Sequence, residues 1–446
     1  MKKTTKFGFL AIASVLTLSV VSAAPAPAAA CAKKAKVVML GTIKVEIQDQ
    51  FLAAVKDYNS SQKCYTVTTL PNVQGANVTF LSVVTPMYAS HTAPTIMYTL
   101  QEIPDMADKV MDWKGQPLAK LVSPNLLAAA NVNGKQVGVP STAEAFGLLY
   151  NKSVLDKAGI DPTKLTTRSS LEAAFKTLQA KGFNAIHFSD IWWSLGAHFS
   201  NEYFTHAANT HEGRLKILDG MADGTKDLKS DPVWKDYIAT FDLFKKYNSQ
   251  KPNTQDTEYD ASIADLASGK TGFLFQGNWT EPNLIQAAAD TKFGIMQLPM
   301  SQDAMAYGQD SIAVGVPGYF MIDKVDSTPE QRAGAIDFLT WLYTSAKGQH
   351  HVVDPTTKTG GGMGFIPVYA GTKVQPATNM AQLIAKFVGA NKTLDWMNTY
   401  YPAGGQNLYG ASGQKFMVNE ITSDQYAQEL QDAWKGKPKT WRGAKA

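Results

Sequence analysis

The sequence predicts an α/β protein of two domains with mostly parallel sheets. Three observations predict it. Strand-like and helix-like segments alternate almost throughout. The first of them form strand, helix, strand within about 35 residues, a βαβ unit with a right-handed crossover. The chain that remains after residues 1–30 has 416 residues, which at roughly 100 to 200 residues per domain makes two domains.

Residues 1–30 read as a targeting segment. Lys2, Lys3 and Lys6 make a cationic start, an apolar run extends from Phe7 to Val21, and the small-residue stretch SAAPAPAAAC follows. These are the three regions of a secretory signal. The apolar run is too short for a lasting membrane span, and no other run reaches roughly 18 apolar residues. An exported protein is expected, in the periplasm or on the outer face of the cytoplasmic membrane.

The first strand covers Val37 to Leu40 and turns at Gly41-Thr42. Ile47, Phe51, Val55 and Tyr58 recur at helical spacing and share one face. Strands follow at Tyr65 to Leu70 and Pro94 to Tyr98, and extended segments at Val137 to Pro140 and Gly147 to Asn151. The next helix starts at Thr167 or Ser169, with Ser169 and Glu172 at capping-box spacing, and stops at Gly182. A strand is expected at Thr271 to Phe275. A last clear helix starts at Thr328-Pro329, its core face including Ile336, Leu339, Leu342 and Tyr343.

The formal charge of +4 falls to +1 without residues 1–30, from 39 basic and 38 acidic residues. So even a balance leaves no electrostatic footprint for nucleic acid. Two cysteines are present, and two readings of them stand. Cys31 follows three alanines and suits a lipid anchor, although Ala28 stands where such a signal usually has a bulky aliphatic. Alternatively, Cys31 and Cys64, each just before a strand of the βαβ unit, form a disulfide, which an oxidising compartment permits.

No nucleophile elbow, P-loop or zinc-protease motif occurs, and the glycines at 360–364 lack a dinucleotide fingerprint. The seven histidines include no pair spaced to point two rings at one metal. Neither an enzyme nor a metal or other cofactor is expected.

Aromatic-rich runs carry the functional reading. Ser189 to Phe204 holds Trp192, Trp193 and His198 beside two acids. A sugar offers C–H faces to flat rings and hydroxyls to polar groups. One of two adjacent tryptophans is expected in the core, leaving Trp193 with His198 for a site. Gln276-Gly-Asn-Trp-Thr280 ends a strand, where α/β domains place ligand contacts. Trp279 is the leading candidate there, and Asn278 either binds or shapes the turn. Tyr319 stacks on a ligand or packs on its sheet, and Phe365 closes over the ligand or anchors a core. Thr42 and Glu46 flank the first strand–helix turn, Gln101 and Glu102 follow a strand, and Glu144 lies between two extended segments.

Four stretches in this order resemble the extracellular solute-binding proteins of ABC sugar importers, in the group that takes up maltose-like and other oligosaccharides. They are Gln136 to Gly159, Ala267 to Trp279, Gly315 to Thr344, and Gly364-Phe-Ile-Pro367. Trp193-Ser-Leu-Gly-Ala-His198, Thr166-Thr-Arg168 and Ala390 to Pro402 resemble a subgroup for raffinose-type or isomaltose-type sugars. The run departs from that subgroup at Ile191-Trp192, where an acid often precedes Trp-Ser; here Asp190 stands one place earlier.

The resemblance implies a two-lobed periplasmic-binding-protein fold with a hinged inter-lobe cleft. Lobe one would hold 36–142 plus 312–350, and lobe two 143–311 plus 351–446. It implies a monomer that captures an oligosaccharide by closing on it and delivers it to the permease subunits of an ABC importer. The same fold with a peptide, polyamine or glycerol-phosphate ligand is one alternative. A secreted glycan-cleaving enzyme is another, and it needs two carboxyl groups facing each other across the sugar.

Overall fold

A computed structural model describes residues 34–72, 78–100, 102–250, 259–355, 362–376 and 378–437. The expected targeting segment and Cys31 lie outside the described residues. Cys64, just before β2, is disulfide-bonded.

The chain first lays down β1 (Ala35–Met39), β2 (Tyr65–Thr69) and β3 (Ile96–Thr99). A small hairpin of β4 (Asn131–Val132) and β5 (Lys135–Gln136) precedes β6 (Val139–Pro140). Then come β7 (Glu144–Asn151), β8 (Asn184–His187), β9 (Thr271–Gly277), β10 (Phe293–Met296) and β11 (Ile312–Gly315). Last are β12 (Tyr319–Ile322) and β13 (Thr393–Leu394). Two main sheets result. The first has the order β2-β1-β3-β12-β6, and the second β13-β11-β7-β9-β8 with β10 also on β7.

The opening βαβ unit forms as expected, with β1 parallel to both β2 and β3. Elsewhere the sheets are mixed rather than mostly parallel. β12 runs antiparallel to β3 and β6, and β7 antiparallel to β9, β10 and β11. β7 and β12 arrive directly from the other sheet, without the crossover helix that makes consecutive strands parallel. Alternation along the sequence does not reveal that difference.

Each sheet has its own core. Phe51 and Tyr58, on the buried face of the helix Gln48–Ser61, meet Phe338 of the helix Pro329–Thr344 with ring centroids 6.1 and 5.0 Å apart. Thr328 and Gln331 cap that second helix reciprocally. In the second core Phe188, Phe199 and Phe244 surround Phe275 of β9. The helix Arg168–Ala180 is capped by Thr167 with Ser170, not by Ser169 with Glu172. Thr167 is the residue with extended backbone, so Ser170 stands three places on, and Glu172 pairs instead with Lys176 and Lys246.

The lobes differ from the expected division at two places. β11, at 312–315, belongs to the second sheet. Val352, Val353, Phe365 and Tyr369 pack into the first core, so the segment after 350 stays with lobe one well beyond the expected boundary. The chain crosses between lobes at 141–143, at 316–318, and again between Tyr369 and Met380. The crossings are laced together: Ser141 N donates to Gly318 O at 3.2 Å, and Ala143 N to Ile366 O at 3.3 Å. Short strand-end segments of this kind are where hinged proteins absorb their rotation. Among the described residues no helix is long and apolar enough to cross a membrane.

Candidate functional site

A cavity of about 250 Å³ lies between the lobes, lined from both sides. Its second-lobe wall starts at the end of β9. There Gly277 to Thr280 form a tight corner: Asn278 Oδ1 accepts from Ala145 N at 2.7 Å, tying the turn to β7, and Thr280 Oγ1 donates to Gly277 O at 2.8 Å. The Trp279 ring folds back over Gly277, where a Cβ would stand 2.0 Å from it. Trp396 lies the same way on Gly315, with 2.2 Å to a Cβ there. Only glycine lets a ring lie this close to the strand.

Trp192 and Trp193 open a helical segment that becomes a π-helix over Ser194–Phe199. Its i→i+5 bonding draws residues five apart toward one face. Trp193 and His198 accordingly approach to 5.5 Å between centroids. Backbone contact with the helix Gly405–Met417 fixes this segment: a Cβ on Gly196 would stand 1.9 Å from Gln406 O, and one on Gly410 2.1 Å from Trp192 O. The same contact brings Gln406 and Asn407 to the cavity.

His198 sits among rings, with centroids 4.6 Å from Trp279, 4.9 Å from Phe146 and 6.0 Å from Trp396. Burial pushes its pKa down to about 3, and the Lys44 charge adds to the shift. His198 is therefore a neutral ring at ordinary pH.

The first-lobe wall mixes polar groups with aliphatic side chains and the Phe80 ring. Tyr98 lies on Gly318 and shares a 3.0 Å hydrogen bond with Ser141. Glu102 accepts from Thr99 Oγ1. Ile43 has φ +70°, a conformation that costs a β-branched residue on the order of 1–3 kcal/mol. The next residue, Lys44, reaches across the cleft. Its ammonium pairs with Glu144 and lies 4.8 Å from the Trp279 ring centroid. Glu144 is fully buried at the start of β7.

The structure brings Trp193, Trp279, His198, Glu144 and Glu102 together around the cavity. Other sequence candidates stand elsewhere. Tyr319 packs in the first-lobe core, and its hydroxyl donates to Leu126 O at 2.8 Å. Phe365 is a core anchor at 1% exposure. Asn278 shapes the corner. Thr42 holds Asn72, whose Oδ1 accepts from Thr42 N at 2.7 Å, and it is Asn72 that lines the cavity. Gln101 and the Glu46 side chain lie outside the described residues.

Trp192 also lines the cavity, against the expectation that one of the tryptophan pair is core. Neighbours in a helical turn diverge by less than the half-turn of a strand, so both reach one opening. Lys44, Asn72, Tyr98 and Trp396 were not singled out as contacts. Each becomes a lining residue because segments far apart in sequence meet only in the fold: the loops of Lys44, Asn72 and Trp396, and β3 for Tyr98.

The family described as bacterial extracellular solute-binding protein matches residues 28–368. The chain belongs to that family. This solute-binding protein is 25% identical over 233 residues to the melibiose/raffinose/stachyose-binding protein MelE of Bacillus subtilis (strain 168). The match covers 51% of this chain and 52% of MelE, so the chain spans about half the length of that curated relative.

Two solved structures share the two-lobed fold. One is the solute-binding protein RafE in complex with raffinose, at TM-score 0.69 and 17% identity, covering 90% of this chain and 99% of that one. The other is a sugar transporter protein from Bacillus licheniformis in complex with stachyose, at TM-score 0.69 and 17% identity, covering 89% and 98%. At such identities the likeness is one of fold.

Proposed function

We propose that this solute-binding protein captures a neutral oligosaccharide in the inter-lobe cleft and delivers it to an ABC importer. The observation that carries the reading is the ring cluster of Trp193, Trp279 and Trp396 around a neutral His198, facing Lys44, Asn72 and Glu102. Flat apolar faces opposite hydrogen-bonding groups suit a pyranose, which has both kinds of surface. The names of the relatives agree with α-linked sugars of the raffinose type. A ligand that touches both walls favours the closed arrangement, which is how binding would move the lobes. Export and work as a monomer outside the cytoplasmic membrane belong to the same reading.

Calorimetry with raffinose, stachyose, isomaltotriose and maltotriose tests it, with a peptide, a polyamine and glycerol-phosphate as comparisons. Binding of at least one sugar, and not of the charged ligands, is the expected result. Binding of none of the sugars would overturn it.

Cys64 is disulfide-bonded, and the sequence has one other cysteine, Cys31. This supports a Cys31–Cys64 bond over a lipid on Cys31. The mass of the processed protein, before and after reduction, distinguishes the two.

A further inference from the structure

We infer that Arg214, His211 and Asp395 form a positioning device that fixes the Trp396 ring in the cleft. Ligand affinity then depends on a charged cluster that does not itself line the cavity. The inference rests on the carbohydrate reading of the site.

Trp396 follows β13, a strand of two residues paired only at Ile312–Thr393 and Ala313–Leu394. So short a ladder gives little hold on the loop beyond it. The hold comes from elsewhere. Asp395, next to Trp396, accepts from Arg214 Nη2 and from His211 Nδ1, the latter at 2.8 Å. Arg214 is buried in the helix His211–Asp223, and its Nη1 donates to Ala208 O at 2.9 Å and to Tyr307 Oη at 3.0 Å. A guanidinium tied on three sides is a rigid anchor, and its hydrogen bond to a carboxylate is of the strong, charge-assisted kind.

Burial pushes the Asp395 carboxyl up, but the His211 hydrogen bond and the Arg214 charge outweigh it and hold the group below the ordinary carboxylate range. The same loop is gripped a second time. Asn201 Nδ2 donates to Asp395 O at 3.4 Å, and its Oδ1 accepts from Asn398 N at 3.1 Å. These contacts bracket Trp396 on both sides in sequence.

The ring so placed lies on Gly315 and meets Phe146 at 5.1 Å and Trp279 at 6.4 Å. Arg214, His211, Asp395 and Asn201 are not among the lining residues, whereas Trp396 and Asn398 are. The cluster's route to a bound sugar therefore runs through that loop.

The test is a double-mutant cycle on the full processed chain. Arg214→Met should weaken the tightest-binding sugar of the panel about tenfold in the wild-type background, and less than twofold in a Trp396→Ala background. Arg214→Lys should restore part of the loss. With 5-fluorotryptophan labelling, Arg214→Met should also shift the ¹⁹F resonance of Trp396, assigned with Trp396→Phe, and leave that of Trp113 in the first-lobe core unmoved.

Equal weakening in both backgrounds, or no change in affinity and resonance, overturns the inference. If Arg214→Met does not fold, Asp395→Asn and His211→Asn carry the same comparison, His211 being half exposed. If the wild type binds no sugar, the proposed function fails, while the ¹⁹F shift in the ligand-free protein still decides the positioning.

Discussion

The second-lobe wall of the cleft carries four indoles and an imidazole, and the first-lobe wall carries Lys44, Asn72, Glu102 and the Tyr98 phenol among aliphatic side chains and the Phe80 ring. They are held differently. The Trp279 and Trp396 rings rest on glycines at strand ends, and ring-to-ring contacts add roughly 0.5–1.5 kcal/mol each. The polar groups hang on turns, as at Ile43-Lys44, and on hydrogen bonds to near neighbours, as between Thr42 and Asn72. A wall of rings needs a sheet beneath it because a misplaced ring loses its contact area. A wall of polar groups can be built on loops because a hydrogen bond needs only one well-placed atom. Closure sets the two against each other, and Lys44 spans them.

The sharpest way to break this comparison is Trp279→Ala. Sugar affinity should fall about 100-fold, and stability by about 3–5 kcal/mol from the cavity left behind. Calorimetry and urea denaturation read the two effects. A change under fivefold in affinity would mean that the first-lobe wall carries the ligand.

Lys44→Met comes next. It removes the ammonium that pairs with the buried Glu144 carboxylate and should cost about 3–5 kcal/mol in urea unfolding. Adding Glu144→Gln should recover most of that. If the double variant is no more stable than the single, the two residues are not coupled across the cleft.

A pH series separates the lobes in a third way. Burial raises Glu202 to about 8 and Glu281 to about 7, and lowers His206 to about 4 and His198 to about 3. All four belong to the second lobe. Between about pH 4.5 and 6.5 the carboxyls are protonated in the folded chain and ionised in the unfolded one, so stability falls with pH. Over the same window the histidines are neutral folded and charged unfolded, so stability rises, and the two trends offset. Above pH 6.5 only the carboxyl trend remains. Stability should then decline through pH 7 and 8, by about 2 kcal/mol from Glu202. Urea midpoints from pH 6.5 to 8 should fall in the wild type and flatten in Glu202→Gln.

The smallest expected effect belongs to Tyr319→Phe. It removes one hydrogen bond in the first-lobe core, so about 1 kcal/mol of stability should go and sugar affinity should stay within twofold. A large affinity loss would return Tyr319 to the site.

Much of the site was legible where chemistry and position share one short run. Gly277-Asn278-Trp279 ends a strand, and its three residue types specify a ring seat, a tie and a ring. Trp193 and His198 were legible as an aromatic-rich run, though the π-turn that brings them together was not, because a π-turn depends on what packs against it. Tyr319 and Phe365 each carried a core reading beside the site reading, and both are core. Tyr319 shares a core with Met97 and Val137, and Phe365 shares one with Phe51 and Phe338, so packing partners far away in sequence decided both.

The sequence by itself determined the βαβ opening, the helix starts near Thr167 and at Thr328, and the supply of rings. All of these follow from local periodicity, backbone preference and side-chain type. The tertiary structure alone decided which rings share a cavity, that Lys44 would meet Glu144 a hundred positions away, and that Arg214 would brace the loop of Trp396. Those outcomes depend on which chain segments the hinge and the two sheets place side by side, and contacts at such separations leave no pattern in any window of neighbouring residues.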